Sequence, residues 1–110
     1  MRSYRQCFVG IAIVAVCVLA AATAQGQDAA GLFKTKCAMC HAPDGSGNNP
    51  MGKKLGAADF HSPEVQKMTD AQLSDLIAKG KNKMPAFAGK LTAEQIKELT
   101  SYVRELGRKK

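Results

Sequence analysis

The pentapeptide Cys37-Ala38-Met39-Cys40-His41 constrains this chain more than any other stretch. Two thiols three residues apart stand about one helical turn from each other, and an imidazole follows at once. So short a loop would make a poor structural disulfide. A redox dithiol would normally follow a strand in a β-α-β pattern, and strand-like alternation is absent after the first two dozen residues. A zinc site needs four ligands, and beyond these three residues only His61 is at hand. The chemistry left is covalent attachment of haem c, which uses C-x-x-C-H. Cys37 and Cys40 would add to the two vinyl groups of the ring. His41 would then swing beneath the iron as an axial ligand, its other ring nitrogen oriented by a backbone carbonyl.

The length supports a cofactor of this kind. The chain has 110 residues, room for one domain at most, and its start does not look like part of one. Met1–Gln6 carries Arg2 and Arg5 with no acid, Cys7–Ala22 is almost wholly apolar, and Ala22-Thr23-Ala24 has small residues at the two positions a signal peptidase reads. This order predicts a secretory signal peptide over residues 1–24, cleaved after Ala24, and a mature domain over 25–110. An uncleaved membrane anchor is the rival, because the apolar run approaches the ~18 residues of a spanning helix. A lipoprotein fits less well, since Val16 precedes Cys17 where a small residue would be expected. The mature part has only Phe33, Phe60, Phe87 and Tyr102 as aromatics and no Trp. A domain that small needs help to fill its core, and a flat apolar ligand would supply it.

The rest reads as helices and loops. Ala29, Leu32 and Phe33 share one face of a first helix running from about Asp28 towards Cys37. Glycines, Asn48-Asn49 and Pro50 mark a long irregular loop from His41 to about Lys54. Ser62-Pro63-Glu64 begins a short helix. Thr69 with Gln72, and Thr92 with Gln95, form capping boxes for two more. Leu73, Leu76 and Ile77 line the first of these until Gly80 stops it. Ile96, Leu99, Val103 and Leu106 line the second, with Gly107 and a basic tail at its end. The fold expected is all-α, with about four helices.

His41 alone would leave the iron open on one side. Met84, 43 residues further on, lies between the stop at Gly80 and the cap at Thr92, hence on a loop. Pro85 biases it towards an extended backbone, which suits presenting a thioether sideways. Met39 sits between the two anchoring cysteines and points away from the iron, Met51 is on the His41 side, and Met68 serves more simply as core filler. His61, beside Ser62-Pro63, reads as a solvated residue rather than a ligand.

With these residues in place the chain resembles the class I cytochromes c, particularly short bacterial monohaem forms, over essentially all of the mature region. The elements that carry the likeness are Phe33 four residues before Cys37, the haem motif, Pro50, Met84-Pro85, and Leu99-x-x-Tyr102 in the last helix. The resemblance implies a cytochrome c fold, its helices and loops wrapped around one covalently bound haem. It also implies that the first and last helices cross, with Phe33 against Leu99 and Tyr102, and that Pro50 supplies the carbonyl to His41. Ala29 departs from the glycine common in the family and bears on how closely those helices approach.

The function expected is one-electron transport in the periplasm, with no catalytic residue. His41 and Met84 on the iron would favour the ferrous state and a relatively high potential. All 9 acids and all but Arg2 and Arg5 of the 16 basic residues follow Ala24, so the mature part stays basic. Lys34, Lys36, Lys79, Lys81, Lys83 and Lys90 flank the attachment helix or Met84, and would steer an acidic redox partner. The lysines also serve solubility, and a nucleic-acid partner is not expected of an exported haem protein. A monomer is expected, with membrane attachment only if the leader stays. A membrane-anchored haem subunit and an open-site haem enzyme or sensor are the alternatives.

Overall fold

The computed structural model describes residues 28–110; the expected leader and its expected cleavage after Ala24 lie outside the described residues. Asp28 accepts the Gly31 N–H at 2.8 Å and so caps α1, Ala29–Lys36. The haem motif forms its own short turn of helix, α2 (Ala38–His41), which follows α1 across Cys37. Then come α3 (Pro50–Leu55), α4 (Pro63–Gln66), α5 (Asp70–Lys79) and α6 (Ala93–Arg108). No strand occurs among the described residues, and none of their helices is long and apolar enough to cross a membrane. The all-α expectation holds. The count is six rather than about four because the haem motif forms a single turn of its own, α2, and α3 lies inside the segment expected to be irregular.

Each cap has a local cause. Ser62 starts α4 with Pro63 at its first position. Both expected capping boxes form, Thr69 with Gln72 and Thr92 with Gln95, at 2.8 and 3.1 Å in each case. Each satisfies two N–H groups that a helix start otherwise leaves bare. α3 begins at Asn49, whose side-chain oxygen accepts the Gly52 N–H at 2.7 Å, with Pro50 at the first helical position.

α6 is the spine. Ile96, Leu99, Val103 and Leu106 are buried, as their spacing predicts, and Thr100 joins them by returning its hydroxyl to the Ile96 carbonyl at 2.9 Å. α6 packs on both α1 and α5. Phe33 and Leu99 are the most deeply buried large side chains, and the Phe33 ring meets Tyr102 at 5.3 Å. The crossing of first and last helices therefore forms despite Ala29. Arg104 ties the spine to the short helices: its Nε donates to Asp70 at 2.8 Å, and its Nη2 donates to the Met68 carbonyl.

Gly107 does not end α6. The helix continues through it to Arg108. The glycine is there for contact: a Cβ would stand 2.7 Å from the Phe60 carbonyl oxygen and 2.6 Å from Gln66 Nε2.

Candidate functional site

The attachment turn is short, so its neighbours must hold it. Asn49 does so from α3. While its oxygen caps that helix, its Nδ2 donates to the carbonyls of Ala38 at 3.2 Å and Met39 at 3.0 Å. Gly52 completes the join, since any Cβ there would collide with the Cys40 and Gly47 carbonyl oxygens. The haem motif is thereby fastened to the segment that follows it, which its own sequence does not disclose. The pair Asn49-Pro50 was a readable signal for α3, being an N-cap followed by a helix-starting proline.

His41 meets the carbonyl of Ala58, not that of Pro50. Its Nδ1 lies 3.0 Å from the Ala58 oxygen, so Nδ1 carries the hydrogen and donates it, leaving the Nε2 lone pair free. Pro50 is occupied in starting α3. The chain instead passes through Gly45, Gly47 and Gly56, all at positive φ, before Ala58 comes under the ring. Phe60 then lies on the imidazole, centroid to centroid 4.7 Å. Burial holds the His41 pKa below its ordinary value, against the opposing pull of the Ala58 hydrogen bond. His41 is thus a neutral, oriented imidazole. Ala58 and Phe60 are neighbours of His41 that no motif announced.

Met84 is placed by a tight turn. Lys81 and Met84 exchange backbone hydrogen bonds of 3.1 and 2.9 Å, and Asn82 between them has φ +52°, a conformation asparagine tolerates better than most residues. Gly80, at φ +72°, lets this turn fold back onto the end of α5. The segment is then pinned along α5, Phe87 N–H to the Ile77 carbonyl at 3.1 Å and Ala88 N–H to Ala78 at 3.0 Å.

Cys37, Cys40, His41 and Met84 all line one cavity of about 400 Å³, walled by Phe33, Phe60, Ile77, Leu99 and Val103 among others. Burial pushes the Cys37 thiol up to about 11, Lys36 pulling the other way and Cys40 adding to the rise. Apolar walls, two thiols, an imidazole with a free lone pair and a thioether suit a flat iron-containing ring far better than a hydrated ion. Met39 is 68% exposed and takes no part, as its place between the cysteines predicts. Met51 is exposed too, whereas Met68 packs against the core and lines the cavity. His61 stays at the surface and does not line the cavity; its Nδ1 lies 2.7 Å from the exposed Asp59. Of the six lysines expected around the site, Lys36, Lys81 and Lys83 line the cavity; Lys34, Lys79 and Lys90 do not, and Lys79 pairs with Asp75 at 2.9 Å.

A helical shell around such a cavity, entered by a C-x-x-C-H turn, defines a c-type cytochrome. Comparison with known proteins agrees. Residues 24–103 match the family described as cytochrome c oxidase, cbb3-type, subunit III. Cytochrome c6 of Thermosynechococcus vestitus is 36% identical over 97 residues, 88% of this chain and 84% of the relative. Cytochrome c6 of Rippkaea orientalis is 40% identical over 80 residues, 71% of this chain and 69% of that one. The solved c-type cytochrome KustC0563 superposes with a TM-score of 0.67 at 33% identity, covering 74% of this chain and all of the other. The chain belongs to this c-type cytochrome family: it is an electron-transfer protein carrying covalently bound haem c, not an enzyme.

Proposed function

We propose that this is an exported carrier of single electrons, with Cys37 and Cys40 as the thioether anchors and the haem iron gripped between His41 and Met84. The observation that carries it is convergence: both cysteines, the histidine and the methionine line one apolar cavity, although Met84 comes from a separate turn. The bound haem supplies the iron that cycles between the ferric and ferrous states. The protein's part is to hold that iron with little rearrangement. His41, fixed by Ala58 and covered by Phe60, offers a neutral lone pair in one orientation. Met84 offers a thioether, which favours the ferrous state over what a second imidazole would give. The apolar walls exclude water and disfavour the extra charge of ferric iron.

Lys36, Lys81 and Lys83 on the cavity lining support a basic docking rim for an acidic redox partner. Export, with the leader removed after Ala24, draws support from the charged, apolar and small-residue order of residues 1–24, and from a family match that begins at residue 24. The family description names an oxidase subunit, and a subunit kept at the membrane by an uncleaved leader is the second reading. The high coverage of the cytochrome c6 relatives favours a free carrier.

The ligand test is the ferric spectrum of the purified holoprotein beside Met84→Ala. A weak far-red band is expected in the wild type and should vanish in the variant; a band unchanged by the substitution overturns the assignment of Met84. Mass spectrometry of the native protein decides the leader and the single haem together. The rim is read from the rate of oxidation of the ferrous protein by ferricyanide, an anion, at rising ionic strength. The rate should fall with salt, and fall at low salt in Lys81→Gln/Lys83→Gln.

A further inference from the structure

The carbonyl that orients His41 belongs to a segment held mainly by its own far side. Ala58 is followed by Asp59, whose Oδ1 accepts both the His61 N–H at 2.9 Å and the His61 ring at 2.7 Å. Between them Phe60 turns inward onto the His41 ring, with Phe60 N–H donating to the Gly45 carbonyl at 2.8 Å. On the outer side Gln66 Nε2 donates to the Phe60 carbonyl at 2.7 Å and reaches the Gly107 carbonyl at 3.4 Å. Residues 58–61 therefore form a strap, with His41 on its inner side and the end of α6 on its outer side.

We propose that Asp59 and His61 are positioning residues for the axial histidine, and that a proton on His61 is linked to the electron on the haem. The inference rests on His41 as the iron's ligand. Neutral His61, with its hydrogen on Nδ1, keeps the bond to Asp59 and lets Nε2 only accept. Protonation makes that bond charge-assisted, so the strap is held more firmly in the shape that presents the Ala58 carbonyl to His41. It also sets a positive charge next to Phe60 and three residues along the strap from Ala58. That charge disfavours ferric iron more than ferrous. By linkage, the ferrous protein must then hold the His61 proton more tightly than the ferric one. The charged groups that act on His61 are Asp59 first, with Asp44 adding its charge from the turn after the haem motif. Its pKa lies above the ordinary value, chiefly through the hydrogen bond to Asp59.

The test is the midpoint potential of the holoprotein as a function of pH, in the wild type, His61→Gln and Asp59→Asn, with the ferric spectrum recorded throughout. The wild type should show a potential that falls as pH rises through the His61 pKa. The inflection should be lost in His61→Gln and move to lower pH in Asp59→Asn. NMR titration of the His61 ring should give a higher pKa in the ferrous than in the ferric protein. A flat wild-type profile overturns the proposal, and so does an inflection that survives unchanged in His61→Gln, which would place the proton elsewhere, as on the haem carboxylates. Loss of the far-red band in the wild type would instead break the ligand reading. The two failures are distinct.

Discussion

Gly80 lies so close beneath Met84 that a Cβ on the glycine would stand 2.6 Å from the Met84 carbonyl oxygen. The same atom would be 2.8 Å from Ala86 N and 2.9 Å from the Pro85 carbonyl carbon. The last residue of a helix cap and the proposed sixth ligand thus share one constraint: the ligand turn can close only over a residue without a side chain.

Gly80→Ala should therefore damage the iron site as well as the fold. With φ +72° and ψ 173° the position lies in a region essentially confined to glycine, which costs about 1–3 kcal/mol for a residue with a Cβ, and the clash with backbone adds to it. The expected outcome is a weakened or lost far-red band together with a lowered Tm. Gly89→Ala is the control. Its φ is +80° but nothing lies within 4 Å of the new Cβ, so it should lose stability of about 1 kcal/mol and keep the band.

Gly107→Ala should reverse the usual sign of such a change. Within a helix, alanine in place of glycine ordinarily gains about 1 kcal/mol. Here the new methyl meets the Phe60 carbonyl at 2.7 Å, a backbone atom of the strap that cannot swing aside as Gln66 can. A net loss of about 1–3 kcal/mol is expected, as for other overpacked sites. Urea denaturation of the holoprotein measures it, and a gain in stability would show that the strap yields freely.

Leu99→Ala should be among the most costly single truncations, because Leu99 is 1% exposed at the junction of α1 and α6. A loss of about 2–5 kcal/mol is expected from lost burial plus the cavity left behind. Denaturant midpoints on ferric holoprotein check it. The haem should remain attached, since its proposed bonds to Cys37 and Cys40 are covalent.

The Asp59–His61 pair should stabilise the fold only within a window of pH. His61 has a raised pKa, chiefly from its hydrogen bond to Asp59, so its contribution is complete below the ordinary 6.5 and is lost as pH rises through the raised value. Asp59 has a lowered pKa, chiefly from the His61 N–H, so its contribution is present above the ordinary 3.8 and is lost as pH falls through the lowered value. The Tm advantage of wild type over Asp59→Asn should be greatest between these limits and shrink on the alkaline side. Thermal melts in buffers from pH 4 to 8 read it directly; an advantage that grows above pH 7 would contradict the pairing.

What the amino-acid sequence determined by itself is what short-range chemistry can specify. The haem motif needs only five consecutive residues. The capping boxes at Thr69 and Thr92 span four residues each, and the buried face of α6 follows from spacing along one helix. The tertiary structure decided which distant groups those elements meet. Ala58 rather than Pro50 reaches His41 across 17 residues, because the path between them runs through glycines at positive φ and a helix that Pro50 itself begins. Gly107 reads locally as a stop, yet α6 runs through it, because only contact with Phe60 and Gln66 reveals why a side chain is excluded. Hydrogen bonds within a turn are encoded where they occur; a carbonyl brought under a ring, or a glycine pressed against a strap, exists only once the chain has closed on itself.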